Sequence, residues 1–111
     1  MTDAAAPDVI DAATAVAGSA PAFIYAFVDA LARAGEAEGL STKAAARLAR
    51  GALRSAGAGA ETGKALDALI ARIASPGGTT RAGLDAMNAN GDLDRVAEAA
   101  VKAAVARAKT L

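Results

Sequence analysis

The sequence predicts an all-α domain, a bundle of five or six helices. Three observations carry that expectation. Alanine, the strongest helix former, supplies about a third of the 111 residues. Apolar residues recur at helical spacing, as in Leu66, Leu69, Ile70 and Ile73, with no alternating run that would mark a strand. Breaks fall at helix-length intervals, at Gly18 to Pro21, Gly39, Gly57 to Ala60, Ser75 to Gly78 and Asn90-Gly91.

In chain order, residues 1–7 read as a frayed start. Pro7 suits a first helical turn, and a short helix runs from Asp8 to Ala17, ended by Gly18. Ser19 is placed to cap a second helix that enters at Pro21 and runs to about Glu38, stopping at Gly39. Its first half, Phe23-Ile24-Tyr25-Ala26-Phe27-Val28, is apolar all round, so it needs cover on several sides. Its second half shows a polar stripe of Asp29, Arg33 and Glu36. Ser41 caps a third helix, Thr42 to Ala56, and Gly57 to Ala60 reads as a flexible joint. A fourth helix, Thr62 to Ala74, carries the stripe of leucines and isoleucines. A short fifth, Thr80 to Asn88, turns Leu84 and Met87 inward. Asn90-Gly91 ends it, and Asp92 caps a last helix to Lys109 with an apolar seam of Leu93, Ala97, Ala100, Val101, Ala104 and Ala108.

Composition then narrows the chemistry. Cysteine and histidine are both absent, which removes disulfides, thiol catalysis, zinc sites of the usual kind and histidine-based triads. The carboxylates are scattered, so no acidic metal cluster is expected. Twelve basic residues balance twelve acidic ones, which argues against nucleic acid or an anionic membrane as partner. The uncharged run Ala12 to Val28 is short and Ala-rich for a membrane span, and the acidic Asp3, Asp8 and Asp11 are wrong for a signal peptide. The expectation is a cytoplasmic, soluble protein. Lys43, Arg47, Arg50 and Arg54 form a basic stripe that could hold a nucleotide phosphate or nucleic acid, but no aromatic residue is interleaved with them. It reads as a solvated face. With 3% aromatics the core of one chain is thin unless two chains share it.

The candidate site is the stretch Ser75-Pro76-Gly77-Gly78-Thr79-Thr80. A proline, two glycines and two hydroxyls stand where one helix ends and another begins. A helix N-terminus offers unpaired N–H groups and the positive end of a dipole, and glycines let an anion approach the backbone. The plainer reading is a tight turn with Thr79 as N-cap.

Two runs carry a family resemblance. Ile73 through Asn88, containing Ser75-Pro76-Gly77-Gly78-Thr79-Thr80, resembles the signature of pyrroline-5-carboxylate reductase. Asp11 through Phe23 resembles that family's Asp-Ala-Val-Thr-Ala-x-Ser-Gly-Ser-Gly-Pro-Ala-Tyr, in the same order and at the same spacing. The resemblance spans the chain from about Asp8, so residues 8–111 are expected to be a C-terminal dimerisation and substrate-carboxylate-binding domain. It implies an intertwined homodimer, or a higher oligomer built from it. It also implies part of an oxidoreductase of proline biosynthesis, one that reduces 1-pyrroline-5-carboxylate to L-proline with NADPH or NADH. By the same resemblance Ser75, Gly77, Gly78, Thr79 and Thr80 hold the carboxylate of pyrroline-5-carboxylate or proline, and Thr14 lies near the catalytic centre.

The sequence departs from the family where Ala17 and Ala20 replace a serine and a glycine. It departs again at Ile70-Ala71, where a basic and an acidic residue are common. The family's nucleotide-binding Rossmann domain has no counterpart in these residues, so the chain alone is expected to bind no cofactor and no metal, and to be inactive. A stand-alone helical dimerisation or interaction module without activity is the alternative. Retention of Ser75, Gly77, Gly78 and Thr80 favours the enzyme domain, because a scaffold needs only a turn there.

Overall fold

The computed structural model describes residues 7–111, and every described regular element is helical. The elements are α1 (Pro7–Ala13), a π-helical turn (Thr14–Ser19), α2 (Ala20–Ala37), α3 (Thr42–Ala60), α4 (Leu66–Ile73), α5 (Thr79–Met87), a 3₁₀ turn (Ala89–Gly91) and α6 (Asp92–Ala108). The all-α expectation holds. The frayed start expected over residues 1–7 falls almost wholly outside the described residues. Two compact units divide the chain: its two ends, up to Tyr25 and from Asn88, and the middle, Ala26–Met87.

In the unit made from the chain ends, α1 and the π-helical turn pack on α6. Ala15 is buried there, and Ala100, Val101, Ala104, Val105 and Ala108 line α6 half-buried. Lys109 Nζ lies 3.4 Å from Asp8 Oδ1, an exposed pair that ties the last helical turn to the first. Gly18 and Pro21 do not end a helix, as their residue types predict. The helix runs on from Asp8 to Ala37. Pro21 has no N–H and its ring clashes with the carbonyl four residues back in an α-helix. The π-helical turn immediately before it widens the coil and relieves that conflict without a break. Ser19 therefore lies inside a helix rather than capping one.

The start of α6 also differs from expectation. Asp92 is its first helical residue, and the cap comes from Asn88, whose Oδ1 accepts from Leu93 N at 3.1 Å and Asp94 N at 3.3 Å. Asn90 and Gly91 both take left-handed conformations, φ 60° and 72°, which fold the chain so that Asn88 reaches forward.

In the middle unit, α2 ends in a Schellman motif: Gly39 N donates to Glu36 O and Leu40 N to Gly35 O, with Gly39 at φ 110°. Ser41 caps α3 as expected, its Oγ accepting from Ala44 N at 3.1 Å. The core here is small: Ala45 and Ala49 are buried, and a Cβ on Gly35 would come within 3.1 Å of Leu40 Cδ1. Gly57 to Ala60 is helix, not a joint, and Leu69 of α4 lies beside Gly59, 3.8 Å from where a Cβ would stand, an ordinary contact distance. Helix α4 begins later than expected, at Leu66. Thr62 uses its hydroxyl on the end of α3, donating to Gly59 O at 2.6 Å and accepting from Lys64 N.

Large apolar side chains stay exposed: Phe23, Ile24, Tyr25, Phe27 and Leu31 on α2, Leu66, Ile70 and Ile73 on α4. The helix Asp8–Ala37 is long and apolar enough to cross a membrane by length and composition alone, and only 6% of its most apolar window is buried.

Candidate functional site

Ser75 to Gly78 form a type II β-turn. Pro76 supplies the fixed φ at the second position, Gly77 the left-handed φ of 73° at the third, and Gly78 N donates to Ser75 O at 3.0 Å. Ala74 N donating to Ile70 O closes α4 just upstream. The two glycines are required for different reasons. Gly77 needs its conformation. Gly78 needs space, since a Cβ there would sit 2.7 Å from Ser75 Oγ and 3.3 Å from Ser75 O.

Gly78 is also the N-cap of α5, because its carbonyl accepts the first helical bond, from Ala82 N at 3.1 Å. Thr79 is the first helical residue, so the plain reading of Thr79 as a side-chain cap is not what the chain does. The N–H groups of Thr79, Thr80 and Arg81 have no intrahelical acceptor. The hydroxyls of Ser75, Thr79 and Thr80 have no hydrogen-bond partner among the described residues, and all three residues are exposed. One turn thus gathers Ser75, Gly77, Gly78, Thr79 and Thr80 at a helix N-terminus facing water. Arg81, half-buried, lies 3.8 Å from Asp85 one turn on, a loose surface pair.

Thr14 is not in this turn. It opens the π-helical turn of the unit formed by the chain ends, and is exposed. A surface depression on α6, lined by Asp94, Arg95, Glu98 and Lys102 among others, includes none of the candidate residues. The described residues contain no grouping of acids that could hold a metal ion. They form no strand either, and so no strand-to-helix glycine loop for a dinucleotide. Sequence reasoning missed the Asn88 cap. The signal was present in an Asn placed ahead of Asn-Gly, a pair that readily turns left-handed.

By fold the chain is all-α, with a turn-to-helix junction of unpaired polar groups at the start of α5. A family model described as pyrroline-5-carboxylate reductase dimerisation matches residues 7–111, and the chain belongs to that family. Among curated relatives, the pyrroline-5-carboxylate reductase of Aquifex aeolicus is 43% identical over 84 residues, covering 75% of this chain and 32% of that protein. The enzyme of that name from Pseudomonas aeruginosa is 39% identical over 103 residues, covering 92% and 37%. A crystal structure of Plasmodium falciparum pyrroline carboxylate reductase with NADP bound superposes with a TM-score of 0.83 at 30% identity, covering 93% of this chain and 39% of that one. The chain therefore spans about a third of the length of these relatives.

Proposed function

We propose that residues 8–111 serve as the dimerisation and substrate-carboxylate-binding domain of a pyrroline-5-carboxylate reductase, reducing 1-pyrroline-5-carboxylate to L-proline in the cytoplasm. The observation that carries the site assignment is the Ser75–Gly78 turn, which leaves three N–H groups and two threonine hydroxyls open at the start of α5. A carboxylate seated there would accept charge-assisted hydrogen bonds and lie at the positive end of the helix dipole. Ser75, Gly77, Gly78, Thr79 and Thr80 form that cradle; Thr14, on the π-helical turn of the other unit, is a separate catalytic candidate that rests on the family resemblance alone. NADPH or NADH supplies a hydride. It is held by a nucleotide-binding domain and not by these helices, so the isolated chain is inactive.

Exposed apolar side chains support the dimer: Phe23, Ile24, Tyr25 and Phe27 stay exposed on α2. A second copy intertwined with the first accounts for that exposure better than a bilayer, because α2 continues into the charged Asp29, Arg33 and Glu36.

The test is Thr80→Ala in this domain joined to a matching nucleotide-binding domain. Loss of one charge-assisted bond, about 1.5–3 kcal/mol, lowers kcat/KM roughly tenfold or more while fold and dimer survive. Unchanged kinetics with a lowered melting temperature would make Thr80 a structural residue only, and the carboxylate assignment would fall.

A further inference from the structure

Helix α3 holds four cations, Lys43, Arg47, Arg50 and Arg54, and no carboxylate in its 19 residues. Their spacing of four, three and four places them within an arc of about 60° along about 16 Å of helix. All four are exposed, on the side opposite the buried Ala45 and Ala49. Elsewhere five of eight cations are matched: Arg33 with Asp29, Arg81 with Asp85, Arg95 with Asp92, Lys102 with Glu98 and Lys109 with Asp8; the other three, Lys64, Arg72 and Arg107, stand singly on separate segments. Among the described residues no carboxylate lies within 4 Å of any of the four on α3. A chain whose charges cancel overall has thus concentrated four unmatched positive charges on one straight line.

We infer that this line is a docking strip for a flexible linear polyphosphate. Three of the four residues are arginine, whose forked guanidinium suits phosphate oxygens. A folded protein partner fits poorly, since the arc offers no apolar centre: Ala46, Gly51 and Ala58 flank the cations, and Leu48 and Leu53 lie outside the arc. A second copy of this chain fits no better. Carboxylates that lack a cation, such as Asp11, Glu38, Glu61 and Asp67, belong to separate segments and form no matching line. Single-stranded nucleic acid is disfavoured by the absence of any aromatic residue on α3 for a base to stack on. A duplex strand curves away from a straight helix, whereas a flexible chain of phosphates can follow all four charges.

The experiment is calorimetric titration of the 111-residue chain with short inorganic polyphosphate at several salt concentrations. Four phosphate contacts on a flexible strand give a log–log salt slope of about −2.8, so affinity falls about 50-fold between roughly 50 and 200 mM salt. The double substitution Arg47→Gln/Arg50→Gln halves the slope, leaving a fall of about sevenfold. Arg95→Gln/Lys102→Gln, which removes two exposed cations of α6, keeps the full slope. Circular dichroism reports whether helix content is retained, and the single Arg50→Gln, expected to reduce the slope by about 0.7, stands in if the double variant unfolds. Absence of saturable binding, or an unchanged slope in the α3 variants, would overturn the inference. Equal affinity for duplex DNA or polyglutamate would overturn it too, making the strip a nucleic-acid face or an unselective one.

Discussion

Gly77→Ala and Gly83→Ala are the same chemical change made six residues apart, and the structure expects them to have opposite signs. Gly77 sits at φ 73° with nothing within 4 Å of where its Cβ would be. The cost of alanine there is one of backbone conformation alone, about 1–2 kcal/mol for an L-residue in the left-handed region. Gly83 lies within α5, also with open space where a methyl would stand but with an ordinary helical φ. There alanine restricts the unfolded chain and favours helix, a gain of about 0.5–1 kcal/mol. For a domain of this size, each kcal/mol moves the melting temperature by roughly 4–8 °C. At one fixed protein concentration, Gly77→Ala should therefore melt about 4–16 °C lower and Gly83→Ala a few degrees higher. Gly77→Asn should recover part of the loss, since asparagine tolerates the left-handed region. Thermal melts followed by circular dichroism measure all three. Two shifts of the same sign, or a Gly77→Ala protein that melts with the parent, would refute the type II turn on which the candidate site is built.

The dimer is tested by light scattering at micromolar concentration, where a mass near twice 10.8 kDa or above is expected. A stable, soluble monomer would remove the explanation offered for the exposed face of α2. Asn88→Ala removes the acceptor for two backbone N–H groups and should cost about 1–2 kcal/mol in urea unfolding, with Asn88→Asp restoring most of it. Equal stability of Asn88→Ala and the parent would return the capping role to another residue. Titration of the isolated chain with NADPH should show no saturable site tighter than roughly millimolar. A micromolar dissociation constant would contradict the assignment of the cofactor to another domain.

Local chemistry made much of this fold readable. Ser41 caps α3 because a short side-chain oxygen reaches Ala44 N, and Gly39 ends α2 because the Schellman turn needs a left-handed residue. The same reasoning failed where a second interaction outweighed the local preference. Gly57 to Ala60 stays helical, with alanines flanking the glycines and Leu69 in ordinary contact range of Gly59. Thr62 is a sound cap by residue type, yet its hydroxyl is taken by Gly59 O, and α4 starts four residues later. The candidate turn was legible as Pro-Gly-Gly. That Gly78 rather than Thr79 would take the cap position was not, because it depends on the crowding between Gly78 and Ser75.

The π-helical turn at Thr14–Ser19 sets the phase of everything that follows it. Such a turn holds one more residue than the α-turn it replaces, and one residue of helix is about 100° of rotation. Helix α2 thus continues the direction of α1 out of step with it by about a quarter-turn. The buried Ala15 can stay against α6 while Phe23 points about 100° away from the side an unbroken α-helix would give it. A deletion of one residue in this turn would leave every other side chain intact and still rotate Phe23 by that amount, as a key cut correctly but inserted rotated.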